Sequence, residues 1–106
     1  MTISILGTEY TIVEDDSIGE KNFDGMCDVF SRVITVRPTD RLLDDSCSDS
    51  DRKSLKREIL RHEIIHAMFG ESGMSKWQDN EDLVQWITIM YPKMNELFSE
   101  LGCSAR

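Results

Sequence analysis

The sequence predicts an α+β fold. A small sheet of three or four strands, antiparallel or mixed, should pack on two main helices, with a short C-terminal helix after them. Three observations predict this. Alternating and β-branched segments fill the first third of the chain. Two later stretches carry helix-capping residues followed by apolar positions at helical spacing. The length, 106 residues, gives one domain over residues 1–106, with a core that buries roughly two-thirds of the unfolded surface.

Residues 2–6 and 9–13 read as two short strands around Gly7-Thr8. Ile3, Ile5, Tyr10 and Ile12 alternate with polar neighbours, as a half-buried strand requires. Residues 14–22 are polar, contain Gly19 and read as a loop. After residues 26–30 comes the β-branched run Val33–Val36, the strongest strand in the chain, which Pro38 terminates. Residues 41–51 form a polar connection rich in Asp and Ser. Within it Ser48 is a predicted N-cap, with Asp51 completing a capping box. A helix should follow over residues 49–69 and stop at Gly70. Residues 70–77 read as a loop. Asp79 is the expected cap of a second helix, with Glu81 and Asp82 in its first turn, running to Met90. Pro92 should break or kink that helix, and residues 94–101 resume as a terminal helix.

Composition narrows the function classes. Twenty acidic against twelve basic residues give a net charge of −8, which opposes general nucleic-acid binding and docking on anionic lipid. The N-terminus has no basic region followed by an apolar run, so no signal peptide is expected. No window is long enough for a membrane span. Cys27, Cys47 and Cys103 are odd in number and widely spaced, with no C-x-x-C. Reduced thiols in a cytoplasmic protein are the expectation.

The chemistry concentrates at His62-Glu63-Ile64-Ile65-His66, an H-E-x-x-H segment inside the first predicted helix. Residues four apart lie one turn apart on one helix face, with Cβ atoms about 5–6 Å apart. Two imidazoles at that spacing can reach one metal ion at roughly 2.0–2.1 Å each. Glu63 lies on the adjacent surface. It is poorly placed as a ligand and well placed to take a proton from a water polarised by the ion. These are the only two histidines in the chain. Leu55, Ile59, His62, His66 and Phe69 share one face, so both imidazoles point with the core residues. Burying two imidazoles without partners costs stability, and a metal removes that cost.

A third ligand must be a carboxylate, because the metzincin continuation would need a glycine at Phe69 and a histidine at Ser72. The candidates are Glu71, Asp79, Glu81 and Asp82. Glu71 follows the helix immediately and would need a sharp return. Glu81 shares its helix face with Val84, Gln85 and Thr88, a mixed surface able to pack across a metal; Asp82 is the next choice. Tyr10 and Tyr91 are candidates for stabilising an oxyanion. Elsewhere the simpler roles prevail. Trp77, Trp86, Ile87 and Met90 read as core. Met68, Met74, Met90 and Met94 read as gap-fillers near the cleft. Lys53, Arg57 and Arg61 read as a solvated stripe paired with acids along the helix.

Residues 60–94 resemble the small prophage-associated zinc metallopeptidases of the ImmA/IrrE type and the compact minigluzincins. The likeness rests on H-E-x-x-H and on the downstream Asn80-Glu81-x-x-Val84-x-Trp86-Ile87. The resemblance implies a zincin-like fold. It implies one Zn²⁺ per chain held by His62, His66 and Glu81, with Glu63 as general base. It further implies a small twisted sheet whose strand before the active-site helix, matched here by Val33–Val36, lines the cleft. The function expected is therefore hydrolysis of peptide bonds in a peptide or protein, such as a regulatory protein. In that reading the substrate lies extended and pairs with Val33–Val36 as an edge strand, by β-strand addition. The alternative is a non-enzymatic zinc protein whose metal site is structural and which acts by partner contact.

Overall fold

A computed structural model describes residues 1–105. Two strands, β1 (Thr2–Ile5) and β2 (Thr8–Glu14), form the expected N-terminal hairpin. The turn sits one residue earlier than the alternation suggested. Leu6 and Gly7 both adopt positive φ, 51° and 88°, which matches the twist of a tight two-residue hairpin. Strands β3 (Gly25–Asp28) and β4 (Val33–Val36) make a second antiparallel hairpin. The stretch between β2 and β3 is not pure loop: Asp16–Lys21 is a 3₁₀ helix, capped by the Asp15 side chain on Ser17.

The sheet is mixed, in the order β1-β2-β4-β3, with β2 and β4 parallel. This corrects the expected place of Val33–Val36. It is an interior strand, paired on both sides, so it has no free edge for a substrate. The outer strand on that side is β3.

Helix α1 (Asp49–Glu71) starts as predicted, with the Ser48 hydroxyl on the Asp51 amide at 3.1 Å and the Asp51 carboxylate on the Ser48 amide at 3.3 Å. Its Ile59 and Ala67 pack on Ile5, Tyr10, Ile34 and Val36 from the sheet, and Leu42 closes the core. The helix runs past Gly70, where the glycine serves a close approach rather than a stop: a Cβ there would lie 2.9 Å from Val29 Cγ1 and from Gln78 Oε1. The left-handed residue beyond the helix end is Gly73, φ 82°.

At the end of α1, Glu71 accepts hydrogen bonds from Thr8 Oγ1 at 2.8 Å and Tyr10 Oη at 2.7 Å, tying the helix to the hairpin. Those two bonds hold the Glu71 carboxyl below its ordinary value of 4.5. Burial, reinforced by Glu71, pushes the Tyr10 phenol up. Tyr10→Phe should therefore lower the thermal midpoint by several degrees. A depressed carboxyl stabilises the fold above its unfolded value. The difference between variant and wild type should thus be full above about pH 4.5 and fade as acid protonates Glu71. Thermal melts at neutral and acid pH measure both effects.

Helix α2 (Glu81–Glu100) replaces the expected pair of helices with one. Pro92 lies inside it. A proline removes the N–H that would bond the carbonyl four residues earlier, here Thr88. Arg61 from α1 supplies the missing donor, its Nε lying 3.0 Å from Thr88 O. Arg61 is thus part of the helix–helix contact rather than of a solvated stripe. Val84 and Thr88 are fully buried between α1 and α2, whereas Trp86 is 56% exposed rather than core. None of the three cysteines is in a disulfide. Among the described residues no helix is long and apolar enough to cross a membrane.

Candidate metal centre

The two histidines project from the middle of α1, and Glu81 is the first residue of α2. The cap of α2 is Asn80, whose Oδ1 accepts from the Leu83 amide at 3.0 Å, not Asp79. That one-residue shift fixes Glu81 at the helix start, facing α1. Its Oε2 lies 2.9 Å from His62 Nε2 and its Oε1 2.9 Å from His66 Nε2; the two Nε2 atoms are 3.2 Å apart.

The outer ring nitrogens decide what these inner atoms are. His66 Nδ1 faces the Gln78 carbonyl oxygen, which can only accept, so that nitrogen carries the proton. His62 Nδ1 donates to Gln85 Oε1 at 2.7 Å. In the neutral tautomer that these bonds select, both Nε2 atoms present lone pairs to the Glu81 carboxylate. Three such acceptors at these distances repel one another unless a proton or a metal ion lies among them. A tetrahedral ion with ligand bonds of roughly 2.0–2.1 Å sets its ligand atoms about 3.3 Å apart, close to the spacing found. The group His62, His66 and Glu81 could hold a metal ion, and its donor set suits one.

The other carboxylates go elsewhere. Glu71 is engaged with Thr8 and Tyr10. Asp79 lines the adjoining cleft and Asp82 is exposed in the first turn of α2; neither joins the ligand group. Neither tyrosine lines the cleft. Tyr10 is fully buried and bonded to Glu71, and Tyr91 is 56% exposed on α2. The methionines Met68, Met74 and Met94 are exposed rather than gap-filling, and the one methionine in the cleft wall is Met26.

Glu63 is buried and faces the same cleft. Burial raises its pKa, with the two histidines pulling the other way. Its room comes from Gly25 on β3: a Cβ there would lie 3.0 Å from Glu63 Oε2 and 2.7 Å from Ile59 Cγ2. The cleft holds about 580 Å³ and opens between α1, the start of α2 and the outer strand β3. Phe23, Met26, Leu55 and Ile59 give it an apolar wall, while Asp24, Glu58 and Asp79 add acidic groups. Cys27 also lines it. Burial, with Glu63 nearby, pushes that thiol up to about 12, so it stays protonated at neutral pH.

Sequence reasoning placed Gln85 on the face of Glu81 without giving it a role, and missed Gln78. Gln85 stands four residues after Glu81, and that spacing was the available signal. Gln78 acts through its main-chain carbonyl, which leaves no trace in residue type. Partners that orient a metal-bound histidine commonly contribute ten- to a hundred-fold in affinity. Gln85→Ala should weaken zinc binding by about that factor, while Gln85→Glu, which keeps the acceptor, should retain it. Competition with a chromogenic chelator measures both.

Compared with family models, with curated proteins and with solved structures, the chain gives no match. The functional reading therefore rests on the geometry of the site itself.

Proposed function

We propose that this protein is a zinc-dependent peptidase of the gluzincin type, akin to the small prophage-associated enzymes, acting in the cytoplasm on a peptide or a regulatory protein. One observation carries the reading. Two lone-pair imidazoles and a carboxylate converge at the floor of an open cleft, beside a buried glutamate and an unpaired strand edge.

His62, His66 and Glu81 would hold the ion. Zinc, when bound, polarises the scissile carbonyl and makes water a nucleophile near neutral pH. The chain's own residues supply the rest. Glu63 takes the proton of the attacking water and delivers it to the departing amine nitrogen. The outer edge of β3, Gly25–Asp28, offers main-chain groups for an extended substrate to pair with. Phe23, Met26 and Leu55 contact substrate side chains. Asp24 is paired with Arg37 at 3.2 Å, and the cleft's other acids, Glu58 and Asp79, favour a basic segment.

The alternative, a structural metal in a partner-binding protein, calls for four protein ligands closing the site. Three converge among the described residues, and all three line the open cleft, so a bound ion would be within reach of water and substrate. The test is a peptide library, weighted toward basic sequences, incubated with zinc-loaded protein and read by mass spectrometry for new termini. Chelator-sensitive cleavage is expected. Stoichiometric zinc with no cleavage in any library would return the chain to the structural-metal reading.

A further inference from the structure

Among the described residues nothing covers the C-terminal half of α2 deeply: every residue from 91 to 100 is exposed. An isolated helix of this length is marginal in water without an apolar face covered by something. The radius of gyration, 14.9 Å, exceeds the about 13 Å expected for a compact chain of this length. The exposed part is nonetheless strongly patterned. Met94, Leu97 and Leu101 stand three and four residues apart and continue the spacing of the half-buried Leu83, Ile87 and Met90, so the row has the intervals of a coiled-coil seam. Tyr91 and Phe98 flank the seam on one side, and Lys93 and Glu100 on the other.

We propose that this helix end is a homodimer interface, in which two copies pair antiparallel through residues 90–101. Charge and shape both select a second copy in that orientation. Run antiparallel, Met94 of one chain packs on Leu97 of the other. Lys93 and Glu100 of the two copies then meet on one side of that layer, and Tyr91 and Phe98 meet on the other. The two-fold axis repeats both contacts, so one helix supplies a self-complementary surface. A parallel pair would set Lys93 against Phe98 and leave Glu100 without a cation. The antiparallel arrangement also opposes the two helix dipoles. Leu97, Leu101, Tyr91 and Phe98 are 50%, 71%, 56% and 39% exposed. Covering them with the neighbouring seam buries on the order of 500 Å² per copy, about 1,000 Å² for the pair, the lower bound for a specific interface. The metal cleft lies at the other end of α2 and plays no part in this contact.

The experiment is sedimentation equilibrium at low ionic strength, through the hundred-micromolar range, with circular dichroism to check folding. Wild type should give twice the chain mass of 12.2 kDa. Leu97→Asp should be monomeric. Lys93→Glu and Glu100→Lys should each weaken the dimer about tenfold, because each brings like charges together twice, and the double variant should recover wild-type affinity. A monomeric wild type at every concentration would overturn the proposal. So would a dimer that is indifferent to Leu97→Asp, or single charge variants whose effects add instead of cancelling.

Discussion

Glu63→Gln is expected to abolish peptide hydrolysis while leaving zinc bound. Removing a general base costs typically 10²–10⁴-fold in turnover. The substitution is isosteric, which matters because Glu63 is buried and its side chain lies close against the Gly25 backbone. It takes away the proton acceptor without touching His62, His66 or Glu81. Zinc content and melting temperature should therefore match wild type, and the loss should fall on kcat rather than KM. Rate measurements on any peptide found by library cleavage, paired with elemental analysis of the same samples, separate the outcomes. An active Glu63→Gln enzyme would remove Glu63 from the chemistry. A zinc-free one would show that the side chain holds the site together instead.

The second large effect is on stability. An ion that binds the folded chain alone stabilises it by about 4 kcal/mol at a thousand-fold excess over its dissociation constant. In a domain of this size each kcal/mol moves the melting temperature by roughly 4–8 °C. Adding zinc to metal-free wild type should thus raise the midpoint by well over ten degrees. Glu81 is 68% exposed, so its contacts with His62 and His66 are screened by solvent; Glu81→Ala without metal should melt within a few degrees of the metal-free wild type, yet gain little from zinc. His66→Ala should differ. Its imidazole is buried and bonded to the Gln78 carbonyl, so the variant loses stability even without metal and loses the zinc response as well. Thermal denaturation with and without zinc, over the three proteins, gives all six midpoints.

What could be read from the sequence was local. The capping box at Ser48 and Asp51, the Val33–Val36 strand and the helical spacing of His62 and His66 depend on residues within a few positions of each other, and all three are found. What escaped was non-local. Strand β4 inserts between β2 and β3 through a parallel pairing, and no property of Val33–Val36 itself announces that it loses its edge. Pro92 should end a helix on local grounds. It does not, because Arg61, on another helix, satisfies the carbonyl that Pro92 leaves without a donor. The carboxylate that joins the two histidines lay between. Four carboxylates were open by spacing, and the helix face and family resemblance favoured Glu81. The structure separates them by giving Glu71 to Tyr10 and Thr8 and by moving the helix cap to Asn80. The proton on His66 Nδ1 depends on a main-chain oxygen of residue 78, which side-chain identity could not reveal.

The proposed chemistry depends on one metal ion bound by His62, His66 and Glu81. Elemental analysis of untagged protein, dialysed and then offered zinc, tests it most directly when wild type is compared with His66→Ala and Glu81→Ala. About one zinc per wild-type chain is expected, with its loss or marked weakening in both variants. Wild type that takes up no zinc, even when zinc is added back, would contradict it and leave the two histidines as core residues with hydrogen-bond partners.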